Sequence, residues 1–135
     1  VKAMPTVRRA IDLDIEAQRI TAEKMAKMKP LLEAGMPIKG AAVVFVDGKP
    51  MQRSVEFVIG RETRIESGDD GTYVITPTLN PDGSVQYFIK GIKLDADGKV
   101  QNVANMSVSA IPWRTFSLGG GGRTIGFTPD QGEPP

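Results

Sequence analysis

Between Val7 and Arg19 apolar and polar side chains take turns along the chain. Val7, Ile11, Leu13, Ile15 and Ala17 interleave with Asp12, Asp14, Glu16 and Gln18. A repeat of two is what a strand with one buried face produces. Glu, Ala and Gln pull the other way, toward helix. The alternation is the stronger signal, and it predicts a strand over this stretch. Asp12, Asp14 and Glu16 then share its outer face, as a solvated row or as an acidic binding row.

From Thr21 the period lengthens. Thr21 suits a helix N-cap, with Glu23 in the first turn. Ala22, Met25, Met28 or Ala26, and Leu32 follow at spacings of three and four. Gly35 and Pro37 form a stop signal. A helix is therefore predicted over about 21–34, with its methionines packed into the core. Pro30 conflicts with it, because proline lacks the amide hydrogen and crowds the carbonyl four residues back. It implies a kink, or an end near Lys29.

The remaining pattern reads as strands. They cover Ala41–Val46, Met51–Ile59, Thr72–Thr78, Ser84–Leu94 and Lys99–Ile111, with shorter ones at Arg114–Leu118 and Arg123–Thr128. Gly60–Gly71, Pro81-Asp82-Gly83 and Asp95–Gly98 read as linkers. Asp-Gly recurs at Asp47-Gly48, Asp70-Gly71, Asp82-Gly83 and Asp97-Gly98. Asp bonds to its own backbone and Gly supplies positive φ, so all four read as turns. The segment Thr78–Phe88, TLNPDGSVQYF, is thus a hairpin. The sum is an α+β domain, mainly antiparallel hairpins with one helix in the amino-terminal half. It spans 1–118, followed by a Gly- and Pro-rich segment over 119–135.

Composition narrows the chemistry. The 135 residues contain no Cys and no His, and carry a net charge of +1. Thiolate chemistry is excluded, and the commonest general base and zinc ligand is missing. A near-neutral chain has no electrostatic footprint for nucleic acid. No apolar run is long enough for a transmembrane helix, and no stretch reads as a targeting segment. We expect no catalytic residue, no cofactor and no bound metal. A carboxylate hydrolase is the one enzymatic alternative, using Glu16 or Glu62 with Asp69 or Asp70.

Two features invite a ligand. Gly119–Gly122 before Arg123 exposes backbone amides, yet no Lys-Ser/Thr pair opens a helix behind it, so it reads as a hairpin rather than a phosphate loop. Trp113 follows Pro112 between two strands, as a core plug or a partner anchor. The segment 119–135 has few large apolar groups, Ile125 and Phe127. It is expected either to return to its own sheet or to dock as a strand on a neighbouring chain, the neighbour being favoured, with Arg123, Ile125 and Phe127 among the contacts.

The order of pieces carries a resemblance. Leu31-Leu32-Glu33-Ala34-Gly35 leads to an apolar strand, then Asp47-Gly48-Lys49-Pro50 and Val58-Ile59-Gly60. Ile75-Thr76-Pro77-Thr78 runs into Asp82-Gly83, and Thr115-Phe116-Ser117-Leu118-Gly119-Gly120 closes the set. This resembles the β-domain of bacterial secretins and secretin-like periplasmic proteins, over roughly residues 7 to 122. Secretins add long membrane-embedded hairpins and amino-terminal ring domains, for which these residues have no room. The resemblance implies a periplasmic or cell-surface setting, ring or polymer assembly, and no catalytic residues. The expected function is a non-enzymatic envelope assembly subunit, a homo-oligomer or one bound to an envelope partner, joined by strand addition. A small soluble peptide- or glycan-binding module using Trp113 is the alternative.

Overall fold

The computed structural model describes residues 3–46, 49–66, 71–120 and 123–135. They form one helix, α1 (Ala3–Glu33), and eight strands. The strands are β1 (Ile38–Val46), β2 (Lys49–Phe57), β3 (Thr63–Glu66), β4 (Thr72–Leu79), β5 (Val85–Leu94), β6 (Val100–Ala110), β7 (Phe116–Gly120) and β8 (Arg123–Pro129). Two antiparallel four-stranded sheets result, in the orders β2-β1-β8-β7 and β3-β4-β5-β6. Every ladder joins strands adjacent in sequence except β1 to β8, which brings the two ends of the meander together. The α+β class, mainly β-sheet, is as the sequence pattern predicts.

The sheets face each other across one apolar core. Phe57 of β2 meets Tyr87 of β5 edge to face, with ring centroids 5.3 Å apart. Tyr87 also lies 4.6 Å from the Phe116 ring of β7. Period-two burial along β4 and β5 puts Tyr73, Ile75, Tyr87 and Ile89 inward. Such alternation is the direct product of strand geometry.

α1 closes one end of this sandwich with its last turns. Leu32 is fully buried in the core, and Met25 is buried beside the β4–β5 turn. Lys29 Nζ donates to the Pro81 carbonyl at 3.2 Å. The helix ends in a Schellman pattern: the Met36 amide bonds the Leu31 carbonyl, the Gly35 amide bonds that of Leu32, and Gly35 has φ +101°.

Several expectations are corrected. Val7–Arg19 is helix, not strand. All residues from Leu13 to Ile20 are exposed, so no sheet rewards their alternation. Local preference decides instead: Glu16, Ala17, Gln18 and Arg19 favour helix, and Arg19 is clasped by Glu16 and Glu23 at helical spacing. The helix also passes through Pro30 to Glu33 instead of ending near Lys29. Pro30 and Ala26 are both exposed, so the carbonyl that loses its donor is on the solvent side. β3 lies inside the segment read as a linker, with Ile65 its one buried apolar group. The Asp47-Gly48 turn, Asp69-Asp70 and Gly121-Gly122 lie outside the described residues. Val46 pairs with Lys49 and Gly120 with Arg123 across two of these gaps.

The carboxyl-terminal segment takes the less favoured of its two expected routes. β8 fills the gap between β1 and β7 of its own sheet. Val44 and Leu118 flank Ile125, and Ala42 and Phe116 flank Phe127. The Phe127 ring packs 4.8 Å from that of Phe57. A Cβ on Gly40 would meet that ring at 2.7 Å, so the absence of a side chain there makes room for it. Burying two large apolar groups in cis offsets the ordering entropy of the strand.

Candidate interaction surface

A sandwich with two open seams has four strand edges, and they are not equivalent. Exposed edges invite pairing with other chains and are commonly blunted by charge, proline or shortness. β2 carries Lys49, Pro50, Arg53 and Glu56. β3 has four residues, two of them Arg64 and Glu66. β7 has five. β6 has eleven, VQNVANMSVSA, without one charge or proline.

β6 borders an apolar seam. Its inward residues Ala104, Met106, Val108 and Ala110 are only half-buried, because β6 is the last strand of its sheet. Phe116 and Leu118 of β7, also half-buried, lie on the same core from the other sheet. No ladder joins β6 to β7 among the described residues. The outer face beside β6 carries exposed apolar side chains among polar ones: Phe88, Leu94, Val100 and Val103 are exposed, the middle two by more than 60%. A hollow of about 410 Å³ near the start of β6 is lined in part by Ile92, Leu94 and Val100. The ladder between β5 and β6 slips once, where Gly91 faces Ala104 and Ile92 faces Asn102. Val103 is the extra residue of this bulge, so the regular edge begins at Ala104.

The turns do structural work. Asp82 accepts the Ser84 hydroxyl at 2.6 Å and the Ser84 amide at 2.9 Å. Those bonds, helped by Lys29, hold its carboxyl below the ordinary range. Asn80 donates from its side chain to Ser84 and to Ser109 of β6, at 2.9 and 3.2 Å. Asp95 accepts the amides of Asp97 and Lys99 in the β5–β6 turn. These carboxylates are spent on backbone turns. Glu16 lies on the projecting half of α1, where the Arg19 hydrogen bond and charge lower its pKa. Glu62 is exposed in the β2–β3 connection. Among the described residues no three acidic side chains gather as a metal site would need. Burial pushes the Tyr87 phenol above its ordinary range and keeps it neutral.

The predicted contact residues separate. Trp113, 8% exposed, lies in the corner between β6 and β7 and walls a groove of about 280 Å³. Met28, Met36, Pro37, Ile38, Pro112 and Pro129 complete its apolar lining. Ile125 and Phe127 are each 2% exposed and serve the core. Arg123 lies at the start of β8, opposite Val46 and Gly120. The edge of β6 was not singled out by sequence reading. Its signal was present as a strand-length run lacking both charge and proline.

Among the described residues no helix is long and apolar enough to cross a membrane. No family model, curated protein or solved structure matches the chain.

Proposed function

We propose that this chain is a non-enzymatic assembly module that takes a partner strand along the free edge of β6. One observation carries the reading: the longest edge of the sandwich has no charge and no proline, and it borders a half-covered apolar seam. An added strand would satisfy the edge's outward amides and carbonyls, and its alternate side chains would cover Met106 and Val108. The secretin-like order of sequence pieces supports a periplasmic or cell-surface setting and assembly through subunit contacts. Titrating the protein with a peptide of alternating Val and Thr, capped by lysines, tests the reading by NMR shifts. Binding that maps to β6 and is abolished by Met106→Lys is expected; binding unaffected by that inward lysine contradicts it.

A second reading has its own observation. The groove beside Trp113 joins an indole to three prolines and two methionines, a surface suited to an apolar side chain of a peptide. A shift in Trp113 fluorescence with such peptides, lost in Met36→Glu, is its test.

A further inference from the structure

Over the five residues from Ala104 to Val108 the polarity of β6 is the same in both directions about Met106. Ala104-Asn105-Met106-Ser107-Val108 reads apolar, polar, apolar, polar, apolar either way. An isologous contact needs this property, since residue i must meet residue j while j meets i. We propose that the strand β6 receives is β6 of a second copy, paired antiparallel about a two-fold axis through Met106. The inference rests on the reading of β6 as the partner-taking edge.

The cross-strand rows support that register. β5 places Ile89 beside Met106, Tyr87 beside Val108 and Gly91 beside Ala104. Under the two-fold axis, Met106 faces Met106 and Val108 faces Ala104. The inner row then runs Tyr87, Val108, Ala104, Gly91 across the two copies, bulk on one side meeting space on the other. On the outer face Asn105 meets Ser107, two short polar groups. Lys90 neighbours Asn105 and Phe88 neighbours Ser107. Each Lys90 therefore shares its row with the Phe88 of the other copy, and no like charges fall opposite each other. The same operation on β2 about its central residue Arg53 would bring two guanidinium groups face to face. The two sheets would join through β6 into one continuous sheet, each copy covering the other's exposed edge.

Charge exchange on the exposed outer face tests the register without touching the core. Sedimentation equilibrium over a wide concentration series should show a monomer–dimer equilibrium. In Asn105→Glu with Ser107→Glu, the axis sets one carboxylate against another twice, and dimerisation should weaken about tenfold. In Asn105→Glu with Ser107→Lys, each carboxylate meets an ammonium group, and dimerisation should return to within a few-fold of the unaltered chain. The carboxylate that Asn105→Glu introduces lies beside Lys90 of its own chain in both variants, so both should keep the monomer's melting temperature. Equal association of the two variants overturns the register. A chain that stays monomeric at every concentration overturns the self-pairing. If β6 still takes the Val/Thr peptide in that case, the strand-addition reading stands and only this inference falls.

Discussion

Gly83→Ala should cost much more stability than Gly98→Ala, although both glycines end an Asp-Gly pair. Gly83 has φ +92° and Gly98 has φ +79°, so alanine meets similar backbone strain at each. Around Gly98 a Cβ would find nothing within 4 Å. Strain alone then sets the cost, at about 1 kcal/mol. At Gly83 the new Cβ would lie 2.5 Å from the Met25 carbonyl oxygen and 2.8 Å from its carbon. Those are helix backbone atoms, so no side-chain rotation relieves the contact. Either α1 or the turn must shift, and Met25 and Leu32 lose packing with it. Overpacking of this kind adds roughly 1 to 3 kcal/mol. Gly83→Ala should therefore cost about 2 to 4 kcal/mol in total. Urea unfolding followed by Trp113 emission and by helical ellipticity measures both variants. Equal losses at the two positions would show that the turn does not bear on the helix, and would refute the docking described.

Leu32→Ala removes the helix's deepest anchor and should cost about 3 kcal/mol; a loss below about 1 kcal/mol in the same unfolding assay would contradict its burial. Among the described residues the Tyr73 hydroxyl is buried and finds no hydrogen-bond partner. Tyr73→Phe should thus be neutral, or stabilising by up to about 1 kcal/mol, and a clear drop in melting temperature would show that the hydroxyl is bonded. The Asp82 carboxyl has a lowered pKa when folded, so its stabilisation is full above its unfolded pKa and lost as pH falls through the folded value. Asp82→Asn keeps the turn and should flatten the acid limb of a stability–pH profile; an unchanged limb would show that the Ser84 bonds carry no such weight.

The strands and turns of the middle of the chain were legible because period two and turn chemistry coincide there. β4 and β5 each bury one face, and Asp82-Gly83 joins them where the pattern stops. The first half of α1 misled for a physical reason. Alternation reports a buried face only if a face is buried, and Leu13 to Ile20 are all exposed. Helix propensity and the Glu16–Arg19–Glu23 clasp were then the deciding terms. β3 was too short and too polar to register, since its place depends on pairing with β4. β8 was recognised as a strand, but its pairing was left between its own sheet and a neighbouring chain. Nothing local in Arg123–Pro129 says that β1 and β7 leave a gap between them. The edge of β6 is a property of strand order, so its solitude emerges only once both sheets are assembled.

Residue-resolved amide hydrogen exchange tests most directly whether β6 is the edge that takes a partner strand. It is measured on the intact chain, alone and with an excess of the lysine-capped Val/Thr peptide. Adding a strand to an antiparallel edge bonds every second amide on that side. Alternate amides between Ala104 and Ala110 should slow strongly with the peptide present, while those of β2 and β3 keep their rates. Slowing confined to β2, β3 or β7, or none in β6, would contradict the proposed function.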